Sequence, residues 1–126
     1  MMMRRNVEAM QRAAERRSVE DTAERLVNRV PTLKTLQLKI EEKALDRPGV
    51  GVVYTRHVVV DRAPALFNVP CCERNCEGGG HDLTGAVLRE LVKGRTHFEG
   101  RDRCEGRSGD MECPFELFFV CEATYG

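Results

Sequence analysis

Five of the six cysteines crowd into two short segments, Cys71, Cys72 and Cys76 in one and Cys104 and Cys113 in the other. The opening run Met1-Met2-Met3-Arg4-Arg5 leads into Asn6-Val7-Glu8-Ala9 rather than an apolar core. That start predicts a chain that is not exported, and hence a cytoplasmic protein. In a reducing compartment clustered thiols serve as metal ligands more often than as disulfides. The rest of the composition makes such a clip useful. A chain of 126 residues with five Phe, two Tyr and no Trp can build only one small core. A structural metal adds folding free energy on the order of 10 kcal/mol in small zinc peptides.

Zn2+ favours a tetrahedral shell of thiolate and imidazole, and a structural site closes that shell with four protein groups. Cys71 and Cys76 have four residues between them and Cys72 and Cys76 have three, so either pair can converge on one ion from a single turn. Cys104 and Cys113, with eight residues between them, flank a glycine-containing loop and supply the second pair. The predicted ligands are therefore Cys71, Cys76, Cys104 and Cys113. Cys71 is preferred over Cys72 because it continues the strand face of Phe67 and Val69, and Cys72 remains an alternate. His81, five residues after Cys76, is a further alternate, although a polar residue just before a helix is its plainer role. Cys121 reads as a buried core thiol. Disulfides are the competing reading, but adjacent Cys71 and Cys72 would need different partners. Four thiolates leave no open coordination position, so no catalytic residues are assigned to the metal.

Hydrophobic periodicity gives an α+β architecture. Met3, Val7, Met10 and Ala14, then Val19, Ala23, Leu26 and Val30, form an apolar stripe at helical spacing. The stripe predicts an N-terminal helical arm over 1–30, either two helices at about 4–16 and 19–29 or one with an irregularity at Arg16-Arg17. Ser18 and Asp21 suit the start of the second, and Pro31 ends it. From Thr32 the period becomes two: Leu36, Leu38 and Ile40 alternate with polar residues. Asp46-Arg47-Pro48-Gly49 is a turn, and Val50 to Asp61 returns as the second strand of an antiparallel hairpin or meander. Ala65, Phe67 and Val69 suggest a short edge strand. Asp82 opens a helix over about 83–93 with Leu83, Val87, Leu88, Leu91 and Val92 on its apolar face, and Gly94 closes it. Strands follow at about Thr96 to Gly100 and Phe115 to Tyr125, with Phe115, Leu117, Phe119 and Cys121 on one face.

The order strand, knuckle, helix, strand, knuckle, strand over 65–125 resembles zinc-ribbon-like and treble-clef-like domains of small uncharacterised bacterial proteins. Cys71 (or Cys72), Cys76, Cys104 and Cys113 carry the likeness, which covers only the second half of the chain. The resemblance implies a structural metal and a binding role. The organisation expected is thus an arm over 1–30 and an antiparallel sheet over 31–126 that includes a zinc-ribbon-like module at 65–125.

Charge narrows the function. Twenty basic residues against twenty acidic ones argue against a general polyanion binder. No apolar stretch approaches the roughly 20 residues of a membrane span. Arg101, Arg103 and Arg107 beside Cys104 are the basis of an alternative, a nucleic-acid-binding zinc module, but Glu99, Asp102, Glu105 and Asp110 dilute their field. A second alternative is a small enzyme using Tyr54, Arg56 and His57, with Glu41 or Glu42 as an acid across the hairpin. Strand alternation opposes it by placing Tyr54 and Arg56 on one face and His57 on the other. Gly78-Gly79-Gly80 before a helix lacks the residues of a phosphate loop and reads as the turn leaving the first knuckle. Val52 to Val60 is apolar on both faces, too much for a lone hairpin to hide, which predicts a homodimer. The expectation is a zinc-binding structural or protein-interaction protein without catalysis of its own.

Overall fold

A computed structural model describes Gln11, Ala14, Glu15 and residues 22–126. Most of the expected helix over 4–16, half of the apolar stripe (Met3, Val7, Met10 and Val19), and the Ser18 and Asp21 cap lie outside the described residues. The elements in chain order are α1 (Leu26–Arg29), β1 (Leu33–Ala44), β2 (Gly51–Val58), β3 (Asn68–Val69), β4 (His81–Asp82), α2 (Thr84–Val92), β5 (His97–Arg103), β6 (Arg107–Ser108), β7 (Met111–Glu112) and β8 (Phe115–Tyr125). The architecture is mixed, with antiparallel strands predominating.

The expected second helix over 19–29 is shorter in the structure. Thr22 is helical, Arg25 is extended, with φ −71° and ψ 142°, and helix resumes only at Leu26. Neighbouring backbone captures the groups a longer helix would use. The Leu26 N–H donates to Ala63 O at 3.0 Å, and the Ala65 N–H donates to Glu24 O at 2.7 Å. Leu26 and Val30, the end of the stripe, are both buried.

β1 and β2 form the expected hairpin, with Ile40 opposite Tyr54 and Leu38 opposite Arg56. The C-terminal strand β8 inserts between β1 and β5, giving the order β2-β1-β8-β5. One face of this sheet is the core face. Leu36, Leu38 and Ile40 of β1, Leu117, Phe119, Cys121 and Ala123 of β8, and Phe98 of β5 are buried there against Leu83, Val87, Leu88 and Leu91. The last four come from α2 and the residue before it, so the helix supplies the predicted apolar face except at Val92, which sits at its last position and is 62% exposed. Asp82 Oδ1 accepts from the Thr84 N–H at 3.1 Å at its start, and Gly94 takes φ +76° after its end.

Two expected strands differ in extent. The edge strand through Ala65, Phe67 and Val69 contracts to β3, which pairs with β4 in a separate ribbon, Val69 opposite His81. The strand expected at Thr96 to Gly100 runs on as β5 to Arg103, because its charged end pairs with β8: Arg101 opposite Phe118, Asp102 opposite Leu117 and Arg103 opposite Glu116. Pairing with an established strand overrides the low strand propensity of Asp and Arg. β5 thereby delivers the chain directly to Cys104.

Candidate metal centre

The two cysteine segments meet at one end of the sheet. Cys104 follows β5 and Cys113 precedes β8, so adjacent strands fix both. The Cys104 N–H donates to Phe115 O at 3.1 Å and the Cys113 N–H to Gly106 O at 2.9 Å. The segment carrying Cys71 and Cys76 is tied to this loop by a two-bond clip. The Glu77 N–H donates to Arg107 O at 2.7 Å, and the Arg107 N–H returns to Glu77 O at 3.0 Å. The little hairpin β6–β7 spans the space between Cys104 and Cys113.

Within this frame the sulfurs of Cys71, Cys76, Cys104 and Cys113 all lie within 4.8 Å of one another. Cys71 Sγ stands 3.6 Å from Cys113 Sγ, and Cys76 Sγ 3.5 Å from Cys104 Sγ. All four are free thiols. A zinc ion with sulfur at about 2.3 Å on tetrahedral axes separates its ligands by about 3.8 Å, close to these spacings. Disulfide sulfurs stand only about 2.05 Å apart. Four cysteines, two from each segment, therefore lie close enough to hold one metal ion.

The backbone shapes itself around the sulfurs. The Gly106 N–H, two residues beyond Cys104, points at the Cys104 sulfur at 3.5 Å. The Glu73 backbone, two residues beyond Cys71, favours ionisation of the Cys71 thiol. Such N–H groups stabilise a thiolate ligand. Gly79 passes so close to the cluster that a Cβ there would overlap the Cys104 sulfur and stand 2.6 Å from the Cys76 sulfur. The glycine run 78–80 thus wraps the sulfurs rather than an anion, with Gly78 at φ +69° and Gly80 at φ +130°.

Electrostatics also calls for a cation. Burial pushes the Cys71 thiol well above its ordinary range, and the Cys113 and Cys104 sulfurs add to the rise against the Glu73 backbone. Burial, followed by the Cys104 and Cys113 sulfurs, pushes Cys76 up to about 12. Cys104 moves the other way. Burial opposes its ionisation, but the N–H groups of Gly106 and Gly80 and the neighbouring thiols outweigh it. One thiol eased toward ionisation among crowded thiols held protonated is the pattern expected where a divalent ion would take up the charge.

The alternates occupy distinct places. Cys72 is outside the four-sulfur group; its N–H donates to Glu42 Oε1 at 3.1 Å, and burial followed by the Glu42 charge pushes its thiol up to about 11. His81 is also outside it; it is the polar residue before a helix, but a buried one. It is 2% exposed, with Nδ1 2.8 Å from Asp102 Oδ2. Burial disfavours its charged form, but the Glu42 and Asp102 carboxylates outweigh this and raise its pKa. Cys121 is fully buried in the main core.

Sequence reasoning named Glu42 only as an acid for His57 and missed its place on the core face. Glu42 is 2% exposed and lies 3.5 Å from His81 Nε2. The signal was present: Leu36, Leu38, Ile40, Glu42 and Ala44 share one alternation phase, so a carboxylate stood on the apolar face. Glu42 therefore cannot serve His57. It pairs in register with Val52, while His57 lies opposite Gln37 and is exposed. Tyr54 and Arg56 share the other face, so Tyr54, Arg56 and His57 do not converge. Arg101 stands 3.8 Å from Glu116 and shares its strand face with Glu99, so that face is of mixed sign. Among the described residues, no helix is long and apolar enough to cross a membrane. Comparison with family models, curated proteins and solved structures finds no match for the chain.

Proposed function

We propose that this chain is a zinc-binding structural and protein-interaction protein of a reducing, cytoplasmic environment, its metal serving to stabilise the fold. The observation that carries the reading is the convergence of Cys71, Cys76, Cys104 and Cys113, from segments separated by α2, to within 4.8 Å of one another. Zn2+ in this shell would act as a cross-link, with no open position for a substrate. The chain's own residues do the rest. The Glu77–Arg107 clip sets the two segments in register, the Gly106 N–H and the Glu73 backbone support their sulfurs, and β5 and β8 transmit that rigidity to the sheet. The resemblance to zinc-ribbon-like modules over 65–125 has the same sense.

The partner we favour is a second copy of the chain, through β2. This strand is an edge of the sheet, and Val53 is 60% and Tyr54 40% exposed along it. An open strand edge carrying apolar side chains is a template for pairing.

Native mass spectrometry with metal analysis, before and after chelation, tests the metal reading. The expected result is zinc on the native chain and loss of the circular-dichroism signature of the fold when zinc is removed. A metal-free chain with its cysteines paired as disulfides would overturn it.

A further inference from the structure

The buried Glu42 and His81, with the half-exposed Asp102, form a polar layer between the main core and the cysteine cluster. In register, Asp102 lies opposite Leu117 on β8, and Leu117 lies opposite Glu42 on β1. The two carboxylates thus stand in one row on the core face, two strands apart, and the His81 imidazole bridges them above Leu117. One ring nitrogen is satisfied, Nδ1 at 2.8 Å from Asp102 Oδ2. The other is not: His81 Nε2 is buried and has no hydrogen-bond partner. It faces Glu42 Oε1 across 3.5 Å, beyond the range of a good hydrogen bond. Ligand atoms of Glu42, His81 and Cys71 lie within 4.8 Å of one another.

From this geometry we propose a second metal site, with His81 Nε2, Glu42 and Cys71 as ligands and the Cys71 thiolate shared with the tetrathiolate centre. It rests on the zinc reading above only through that shared thiolate. Three observations converge on it. Nitrogen and oxygen ligands at about 2.0–2.1 Å from one ion on tetrahedral axes lie about 3.4 Å apart, which matches the Glu42–His81 gap. Asp102 holds Nδ1 as a carboxylate holds a metal-bound histidine, directing the proton to Nδ1 and leaving the Nε2 lone pair for the ion. Among the described residues, the only basic group within 4.0 Å of Glu42 is His81 itself. The Glu42 carboxylate is 2% exposed, and a divalent cation beside it would offset a buried charge that is otherwise expensive.

Mixed thiolate, imidazole and carboxylate ligands select a borderline divalent ion such as Zn2+ or Co2+ over Mg2+ or Ca2+. Three protein ligands leave one position for water or an external anion. The cleft beside Cys71 and His81, lined also by Gly80 and Asp82, gives access from solvent.

The test is a zinc titration of the full chain followed by native mass spectrometry, repeated with Co2+ and read by absorption. The wild type should bind two ions, and Glu42→Gln and His81→Gln one each. In the cobalt series the first equivalent should give thiolate-to-metal charge transfer in wild type and both variants, which reports the tetrathiolate centre and its fold intact. The second equivalent should add bands of a nitrogen- and oxygen-containing site in the wild type alone. Saturation of the wild type at one ion, or two ions on both variants, overturns the second site and leaves the first standing. No bound ion at all overturns the tetrathiolate reading instead.

Discussion

Gly79 and Gly106 touch across the two cysteine segments: a Cβ on Gly106 would stand 2.7 Å from Gly79 Cα. Each glycine also faces sulfur, Gly79 that of Cys104 and Cys76 and Gly106 that of Cys76. The contact lets two loops from opposite sides of α2 close on one point.

Gly79→Ala and Gly106→Ala should therefore force the loops apart. Overpacking of this kind costs about 1–3 kcal/mol, and the displaced sulfurs should lower zinc affinity about 10–100-fold in a chelator competition. Gly85 in α2 is the control, since a Cβ there meets nothing within 4 Å. Gly85→Ala should stabilise the chain by about 0.5–1 kcal/mol and leave zinc affinity unchanged.

The cysteines should divide sharply under substitution. Cys104→Ser and Cys113→Ser remove a ligand and should abolish stoichiometric zinc in the tetrathiolate centre. Cys72→Ser should retain it. Cys121→Ser should also retain it but lower the thermal midpoint, because a hydroxyl in a fully buried apolar site costs about 1–3 kcal/mol. Equal zinc loss in all four variants would contradict the ligand set.

Zinc affinity should rise steeply with pH near neutrality. In the metal-free fold Cys71 lies above the ordinary thiol range and Cys76 near 12, so both are protonated and must release protons on binding. The metal-free fold itself should show the opposite trend in alkali. A thiol whose pKa is raised by folding stabilises the fold below its unfolded pKa and ceases to do so as pH rises through the folded value. For Cys76 that window runs from about 9 to about 12. Urea unfolding of the zinc-free chain across this range checks the sign.

Much of this arrangement could be read from the residues. The strict alternation of Leu36, Leu38 and Ile40, the apolar stripe of α2 and the spacing of the cysteines are local patterns, and local patterns fix β1, α2 and the four-sulfur group. The remainder depends on long-range pairing. Nothing near Arg101-Asp102-Arg103 marks it as strand, because its partner β8 lies beyond the intervening hairpin. Without that register Asp102 cannot be placed beside His81, nor in one row with Glu42. The break at Arg25 is likewise imposed by backbone contact with 63–65, which no helical propensity near it foretells.

The exposed edge makes a separate prediction. Val53→Lys should leave the monomer fold within about 0.5 kcal/mol of wild type, because the side chain is 60% exposed. It should nonetheless shift sedimentation from dimer to monomer. A wild-type chain that sediments as a monomer at high micromolar concentration would contradict pairing through β2. Phe67→Ala, at a residue 1% exposed, should by contrast cost about 3–5 kcal/mol and unfold the chain.

The central claim is that Cys71, Cys76, Cys104 and Cys113 together hold one ion. X-ray absorption at the zinc edge of protein loaded with one equivalent tests it most directly. Four sulfur neighbours at about 2.3 Å are predicted. A first shell with nitrogen or oxygen in place of any of those sulfurs would contradict it.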